Sequence, residues 1–414
     1  MTVALLAIGT ELTRGELVNT NSAWLASRIV ALGLEVPEHL VVDDDVPRIV
    51  AALRGLAARH AFVVCTGGLG PTTDDLTAQA AAEAVGKPLV RSEVALEQIR
   101  RRFATIGRSM GPSNEKQADL PEGAELLPNA DGTAPGFAID LGDARVFFLP
   151  GVPKEMERMF TEHGEPRIAP HATRTTHQIH LRTFGAGESA IGERLAGLEA
   201  ELPGITLGYR ASFPEVEVKV LARAADASQA ESLAERGAAR VRERLGALVY
   251  GDGHDTFPAY LGRVLRDRGL TLALAESCTG GLAGQLITSV PGSSEYLLLD
   301  AVTYSNAAKI QLLGVHAELI RAYGAVSAEV AAAMADGVLR VAGADLALSI
   351  TGIAGPGGGS AEKPVGTVWL ALARRDARAT TRLLQLGGSR DRIRTLAAYT
   401  GLRWVADAAL ENGR

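Results

Sequence analysis

Short apolar runs of strand length recur along this chain, and glycine-rich turns follow several of them. Residues 3–8 and 61–65 are continuous apolar segments; Gly9 follows the first and Gly67, Gly68 and Gly70 the second. Stretches with helical periodicity lie between such runs. Strands buried on both faces and alternating with helices mean a parallel, doubly wound sheet, so the fold class is α/β. Residues 21–32 read as a helix with Asn21 as N-cap and Gly33 where a C′ glycine belongs. Residues 35–42 read as the next strand. Asp45 and Pro47 then open a helix whose Ile49, Val50, Leu53 and Leu56 share one face. Residues 145–149 are a further strand ahead of a helix beginning near Pro153.

At 414 residues the chain is too long for one ordinary core, so two or three domains are expected. Residues 1–165 form the doubly wound first domain. Residues 166–252 change character: strands at 176–183 and 216–222 and helices near 190–202 and 228–244 make a small α+β module in a β-α-β-β-α order. Val216, Val218 and Val220 alternate with Glu217 and Lys219, the mark of a half-buried strand. Residues 250–254, rich in glycine and aspartate, read as a linker. Residues 253–414 form a third domain, again α/β: a helix at 260–268, strands at 271–275, 346–350 and 365–373, another strand ending at Tyr304, and a closing helix at 391–410.

Composition excludes several classes. The two cysteines, Cys65 and Cys278, make no disulfide framework and no CxxC metal spacing. A net charge of −6 argues against broad nucleic-acid binding, which rests on a positive surface. The first residues, MTVALLAIGTEL, lack a basic leader segment and read as a strand. No apolar run reaches the length of a membrane span. The expected location is the cytoplasm.

Three glycine-rich turns carry the chemistry. The first, Gly67-Gly68-Leu69-Gly70-Pro71-Thr72-Thr73-Asp74-Asp75, follows a strand and leads into a helix. Glycines let the backbone approach an anion, and the helix N-terminus offers free N–H groups. Asp74 and Asp75 add hard oxygen ligands suited to Mg²⁺ or Mn²⁺. The acidic run Asp43-Asp44-Asp45 ends the second strand at the same sheet edge. Phosphate, metal and carboxylate together are the parts of a pyrophosphate hydrolase. The alternative is a tight turn with Asp75 as a helix cap.

The second turn, Glu276-Ser277-Cys278-Thr279-Gly280-Gly281, places a serine between strand and helix, beside N–H groups able to hold an oxyanion. The alternative is a phosphate loop in which Ser277 and Thr279 only cap the helix. A serine nucleophile needs a base. The only histidines of this domain, His254 and His316, sit in no motif-like setting. Lysine is the other choice. In Tyr304-Ser305-Asn306-Ala307-Ala308-Lys309, Ser305 is a plausible N-cap, so Lys309 falls in the first turns of a helix. The macrodipole and burial both disfavour its charge there. The alternative is an ordinary exposed helix lysine. The third turn, Thr351-Gly352-Ile353-Ala354-Gly355-Pro356-Gly357-Gly358-Gly359, can cradle a phosphate or ribose, or is a plain surface loop.

These motifs together resemble the CinA family. Gly9-Thr10-Glu11-Leu12, Asn19, Asn21, the GGLGPTTDDLT loop, Asn129 with Gly132-Thr133-Ala134-Pro135-Gly136, and Leu149-Pro150-Gly151-Val152-Pro153 with Glu155-Met156 are similar to its N-terminal domain, of molybdopterin-binding type. Thr13 departs from the leucine usual there. The middle module resembles the family's KH-like domain, but Gly185-Ala186-Gly187-Glu188 lacks the basic GxxG clamp of an RNA binder. A spacer or dimer contact is the expected role. ESCTGG, YSNAAK, Val326-Ser327-Ala328-Glu329, TGIAGPGGG and PVGTV resemble the C-terminal domain, whose stand-alone form is the nicotinamide mononucleotide deamidase.

The resemblance implies a bifunctional pyridine-nucleotide recycling enzyme. Its C-terminal domain would convert nicotinamide mononucleotide to nicotinate mononucleotide and ammonia. Ser277 would be nucleophile, Lys309 base, Tyr304 a helper that orients or relays the proton, and the amides of Cys278 to Gly280 the oxyanion cradle, with no metal required. Its N-terminal domain would cleave ADP-ribose to AMP and ribose 5-phosphate with Mg, Mn or Co, using Asp44 and Asp75 in catalysis and Asp74 and Asp75 as metal ligands. Substrate contacts are expected at Thr10, Glu11, Asn21, Gly67, Gly68 and Gly70 in one site, and at Thr279, Gly280, Gly281, Asn306, Thr351, Gly352 and Gly355 in the other. A homodimer is implied. The competing class is an accessory role in transformation or DNA damage with the recombinase RecA, the first domain then binding nucleotide without turning it over.

Overall fold

The computed structural model describes residues 1–375 and 377–411. Residue 376 and the last three positions of the third expected domain lie outside the described residues. The chain divides into two compact units, one of residues 1–178 with 221–236 and the other of residues 179–220 with 237–414.

The first unit is built on β1 (Thr2–Ile8), β2 (Glu35–Val42) and β3 (Phe62–Thr66), with a small β4–β5 pair (Leu89–Arg91, Asp119–Pro121) and then β6 (Glu125–Leu127), β7 (Gly136–Leu141) and β8 (Ala144–Leu149). The large sheet runs β2-β1-β3-β8-β7-β6. Its first four strands are parallel, with Val3 opposite Phe62 and Phe62 opposite Arg145. β7 and β6 run antiparallel, so the sheet is mixed at one edge, where two tight reversals replace a helical crossover.

The reason for the central strands is burial. Val3 through Ile8 are each at most 2% exposed, and β3 is buried throughout. Alternate side chains point to opposite faces. Leu6, Ile8, Val63 and Cys65 pack under the helix Val46–Ala57, while Val3, Leu5 and Val64 pack under the helix Thr20–Ala31. Each such side chain contributes about 1.5–3 kcal/mol by leaving water. Asp45 caps the helix Val46–Ala57, its side chain accepting from Arg48 N at 3.0 Å. The cap of the preceding helix differs from expectation. Asn19, not Asn21, accepts from Ser22 N, and Asn21 instead donates Nδ2 to the carbonyl of Gly151 at 2.8 Å.

The second sheet follows the order β10-β11-β9-β12, from β9 (Thr175–Phe184), β10 (Ile205–Ser212), β11 (Glu215–Ala224) and β12 (Val249–Asp252). The helices Glu188–Leu195 and Ala227–Leu245 complete the module. Residues 250–254 are not a free linker. β12 pairs with β9, and Tyr250 is 5% exposed with its ring against Phe257 and Tyr260. Apolar contact from that ring outweighs the turn signal of the flanking glycine and aspartate residues.

The third sheet runs β14-β13-β15-β16-β17, with β13 (Leu272–Glu276), β14 (Leu297–Val302), β15 (Leu346–Gly352), β16 (Thr367–Arg374) and β17 (Ala377–Gln385). β14, β13 and β15 are parallel, while β16 and β17 are antiparallel. The closing helix Arg390–Glu411 buries Ala397, Gly401, Leu402 and Val405 against this sheet. No helix among the described residues is long and apolar enough to cross a membrane.

Candidate active sites

In an open α/β sheet, ligands meet the carboxyl ends of parallel strands, because loops there can diverge. In the first unit, the turns after β1, β2, β3 and β8 converge on one cavity of about 500 Å³. Glu11, Asn21, Asp44, Gly67, Gly68, Gly70, Asp74 and Asp75 all line it. Gly67 has φ +100, and a Cβ there would stand 2.1 Å from the Ile8 carbonyl oxygen, so only glycine fits.

Thr10 acts from behind the wall. Its N–H and its hydroxyl both donate to Asp44 Oδ2 at 2.8 Å, fixing that carboxylate toward the cavity. Asn21 Oδ1 is buried with no hydrogen-bond partner among the described residues, an acceptor open to a ligand hydroxyl. Lys116 Nζ holds the glycine loop through the Thr72 carbonyl at 2.7 Å. The helix after the loop starts at Thr77, with no side-chain cap from Asp75.

The Thr72 hydroxyl stands 2.5 Å from both Asp74 Oδ1 and Asp75 Oδ2, so one proton serves two carboxylates. That bond, helped by Lys116, holds Asp74 below the usual carboxylate range. Among the described residues no three acidic, cysteine or histidine side chains form a ready metal cage. Two adjacent carboxylates in a cavity suit a cation such as Mg²⁺, which keeps waters and takes substrate phosphate oxygens. The donor set therefore fits a divalent cation bound together with a phosphorylated ligand.

The second site lies at the carboxyl ends of β13, β14 and β15. Ser277 follows β13, and its N–H donates to the carbonyl of Ile350 on β15 at 2.9 Å. Lys309 is 1% exposed, in the first turns of the helix Asn306–Leu313, which Ser305 caps through Ala308 N. Its Nζ donates to Ser277 Oγ at 3.0 Å and to the Thr303 carbonyl at 2.8 Å. Burial lowers the Lys309 pKa below its ordinary value. A lysine and a serine thus share a buried hydrogen bond, the geometry of a nucleophile and its base.

Other expectations shift. Tyr304 is 63% exposed and its hydroxyl accepts from Arg390 Nη2 at 3.2 Å; the carbonyl that Lys309 Nζ bonds is that of Thr303. Gly280 N is committed to the Ser277 carbonyl and Gly281 N to Glu276 Oε2. Of the expected oxyanion cradle this leaves the N–H groups of Cys278 and Thr279 as the candidates. The Thr279 hydroxyl is buried and unpartnered beside them. Burial pushes the Cys278 thiol up to about 12, which keeps it inert as a nucleophile. His254 and His316 are both exposed.

Thr351 and Gly352 belong to β15 itself, paired with Trp369 and Val368, and the Thr351 hydroxyl donates to the Ala325 carbonyl. The loop proper starts after them, with Gly355 buried and Asn306 exposed.

Three family models match the chain: "Probable molybdopterin binding domain" over residues 4–170, "Damage-inducible protein CinA KH domain" over 178–251, and "CinA C-terminal domain" over 254–409. A CinA-like protein of Geobacter sulfurreducens is 50% identical over 410 residues, covering 98% of each chain. The chain belongs to the CinA family. A second CinA-like protein, from Geobacter metallireducens, is 49% identical over 408 residues, again covering 98% of each chain. The solved competence/damage inducible protein CihA from Agrobacterium tumefaciens is 40% identical, covering 38% of this chain and 97% of that one, with a TM-score of 0.36. As a CinA family member, the chain has a molybdopterin-binding-type first domain, a KH-like middle domain and an α/β C-terminal domain.

Two residues of the C-terminal site carried no signal in the CinA motifs. Arg390 Nη1 donates to the Gly355 carbonyl at 2.7 Å, joining the third glycine turn to Tyr304. Arg394 Nη2 donates to the Thr279 carbonyl at 2.7 Å, holding the nucleophile turn from the same helix. Both sit one turn apart on the closing helix. Long-range arginine-to-carbonyl bonds have no local pattern to betray them.

Proposed function

We propose that the C-terminal domain is an amidohydrolase acting on nicotinamide mononucleotide. The observation that carries this reading is the buried 3.0 Å contact between Lys309 Nζ and Ser277 Oγ. Neutral Lys309 takes the Ser277 hydroxyl proton as Oγ attacks the amide carbonyl. The N–H groups of Cys278 and Thr279 receive the oxyanion. Lys309 then returns the proton to the departing NH₂, the C–N bond breaks and ammonia leaves. Water, giving its proton to Lys309, cleaves the acyl-serine to release the carboxylate product and regenerate Ser277. Arg390 and Arg394 supply the cationic wall that a mononucleotide phosphate requires. No metal is needed for these steps.

The N-terminal domain, on this reading, hydrolyses ADP-ribose to AMP and ribose 5-phosphate. Asp74 and Asp75 would hold a divalent cation, which when bound neutralises pyrophosphate charge. Asp44, fixed by Thr10, orients the attacking water, and Asn21 Oδ1 accepts a ribose hydroxyl. Domains 1–165, 166–252 and 253–414 are the units we assign to these roles, with the middle one a spacer or dimer contact. The test is ammonia release from nicotinamide mononucleotide and other amide-bearing nucleotides. Release that vanishes in Ser277→Ala supports the amidase. A folded protein that releases ammonia from none of them overturns it and leaves the accessory role in DNA transformation.

A further inference from the structure

A second pair of buried groups lies directly beneath the nucleophile turn and is not used in the chemistry above. Glu276, the residue before Ser277, is fully buried. Its Oε2 accepts from Gly281 N at 2.9 Å and its Oε1 from Gly284 N at 2.8 Å. The carboxylate thereby staples both ends of the turn that carries Ser277. Asp300, on the neighbouring strand β14, faces Glu276 over Gly284. A Cβ on Gly284 would stand 1.9 Å from Asp300 Oδ2, so the absent side chain makes the room the aspartate fills.

Asp300 Oδ1 is buried and has no hydrogen-bond partner among the described residues. Two ionised carboxylates have no hydrogen to exchange, so the orphan atom marks a missing proton rather than a missing residue. We propose that Asp300 is a positioning residue: its carboxyl stays protonated and donates to Glu276, completing the staple that holds the Ser277 turn. Burial, the charge of Glu276 and the hydrogen bond to it push the Asp300 carboxyl up to about 7.

Among the described residues no cation pairs with either carboxyl. The helix Leu282–Thr288 and strand β15 carry no ionisable side chain. Lys309 is spent on Ser277 and Thr303, and Arg394 on the Thr279 carbonyl. Arg390 is held by Gly355 and Tyr304. On the helix Phe257–Asp267, Arg263 pairs with Asp255 and Arg266 lies over the Tyr296 ring, leaving Asp267 as its acidic member. On the helix Ala328–Ala342, Arg340 bonds the Leu313 carbonyl, with Glu329 and Asp336 the acidic members. Glu295 ends the short turn before β14. When Asp300 ionises, two adjacent anions therefore face each other and the staple loosens.

The catalytic half of this inference rests on the amidase reading, so the experiment has two arms on the full chain. In the first, the melting temperature of wild type and Asp300→Asn is followed from pH 4 to 9. A carboxyl whose folded pKa is raised binds a proton that the unfolded chain has lost, so wild type loses stability as pH rises from about 4 to about 7. Asn keeps a donor to Glu276 and does not titrate. The variant should gain on wild type through that window and stay level above it. Parallel curves overturn the shared proton, whatever the substrate.

In the second arm, ammonia release from nicotinamide mononucleotide is measured against pH. Wild type should lose activity above the Asp300 midpoint, approaching about tenfold per pH unit, and Asp300→Asn should abolish that falling limb while keeping the rising one. An unchanged falling limb overturns the positioning role. Diverging melting curves with no ammonia from either protein overturn the amidase reading and leave the carboxyl pair standing. Gly284→Ala, which forces a side chain into the Asp300 position, should lose activity at every pH; full activity in that variant also overturns the arrangement.

Discussion

Lys309 is the residue on which the C-terminal site turns. Its ammonium would sit buried between a hydroxyl and a carbonyl, with no carboxylate beside it, so burial favours the neutral amine. The proton therefore leaves at lower pH than from an exposed lysine, and kcat/KM should rise with pH through that lowered value. Lys309→Arg keeps the cation but cannot give up its proton near neutrality. We expect it, like Ser277→Ala and Lys309→Ala, to lose roughly a hundredfold to ten-thousandfold in kcat. Because the pair acts as one unit, the double variant should be little worse than either single one. A folded Lys309→Arg protein with near-normal kcat removes the general-base role. The position of the lysine was legible in the sequence, since YSNAAK puts it just inside a capped helix. What was hidden is the partner of its second bond: Thr303 acts through its main-chain oxygen, and a carbonyl has no residue type to recognise. Tyr304, singled out by likeness, turns instead toward Arg390.

At the scale of elements, strands buried on both faces and half-buried strands with alternating valines, such as β11, were readable, while the largely exposed β17 was not. β1 and β3 announced themselves as unbroken apolar runs, whereas β17, Ala-Arg-Ala-Thr-Thr-Arg-Leu-Leu-Gln, is largely exposed and has no such run to mark it. β2 has alternating exposure because it closes one edge of its sheet, yet its valines and leucine still marked it as a strand. β12 was the misreading with consequences. Its glycine and aspartate suggest a linker, but Tyr250 locks it into the aromatic group of Phe184, Phe257, Tyr260 and Tyr399. The Tyr250 hydroxyl also donates to Glu215 Oε2 at 2.6 Å. Tyr250→Ala should then lower stability by about 3–5 kcal/mol, the range for removing a buried aromatic ring. Urea unfolding of the full chain measures this. A loss under 1 kcal/mol would return the segment to the status of a loose connector.

Across the whole molecule, two sites of unlike chemistry follow from one architectural rule. In each mixed sheet the parallel strands deliver their loops to one edge, and each sheet delivers a different set: carboxylates after β2 and β3, a serine and a lysine after β13 and β14. Nothing in the serine–lysine pair calls for a cation, and nothing in the carboxylate cavity calls for a nucleophilic side chain. The two proposed reactions should therefore fail separately. Asp75→Asn removes one negative charge at nearly constant volume and keeps an acceptor for Thr72, so the glycine loop should hold its shape. Cleavage of ADP-ribose should fall at least a hundredfold, since a cation held by two carboxylates loses one of them. A chelator should act on wild type in the same direction. Ammonia release should be unchanged in both cases, because Ser277 and Lys309 share no ligand with Asp75. Assaying both products from one preparation decides it. Loss of both activities together would mean that the cation serves the amidase as well, or that the charge change unfolds more than its own loop. Circular dichroism of the variant separates those two outcomes. Retention of both activities would leave the acidic pair of the first domain without a catalytic role and make its cavity a nucleotide-binding site alone.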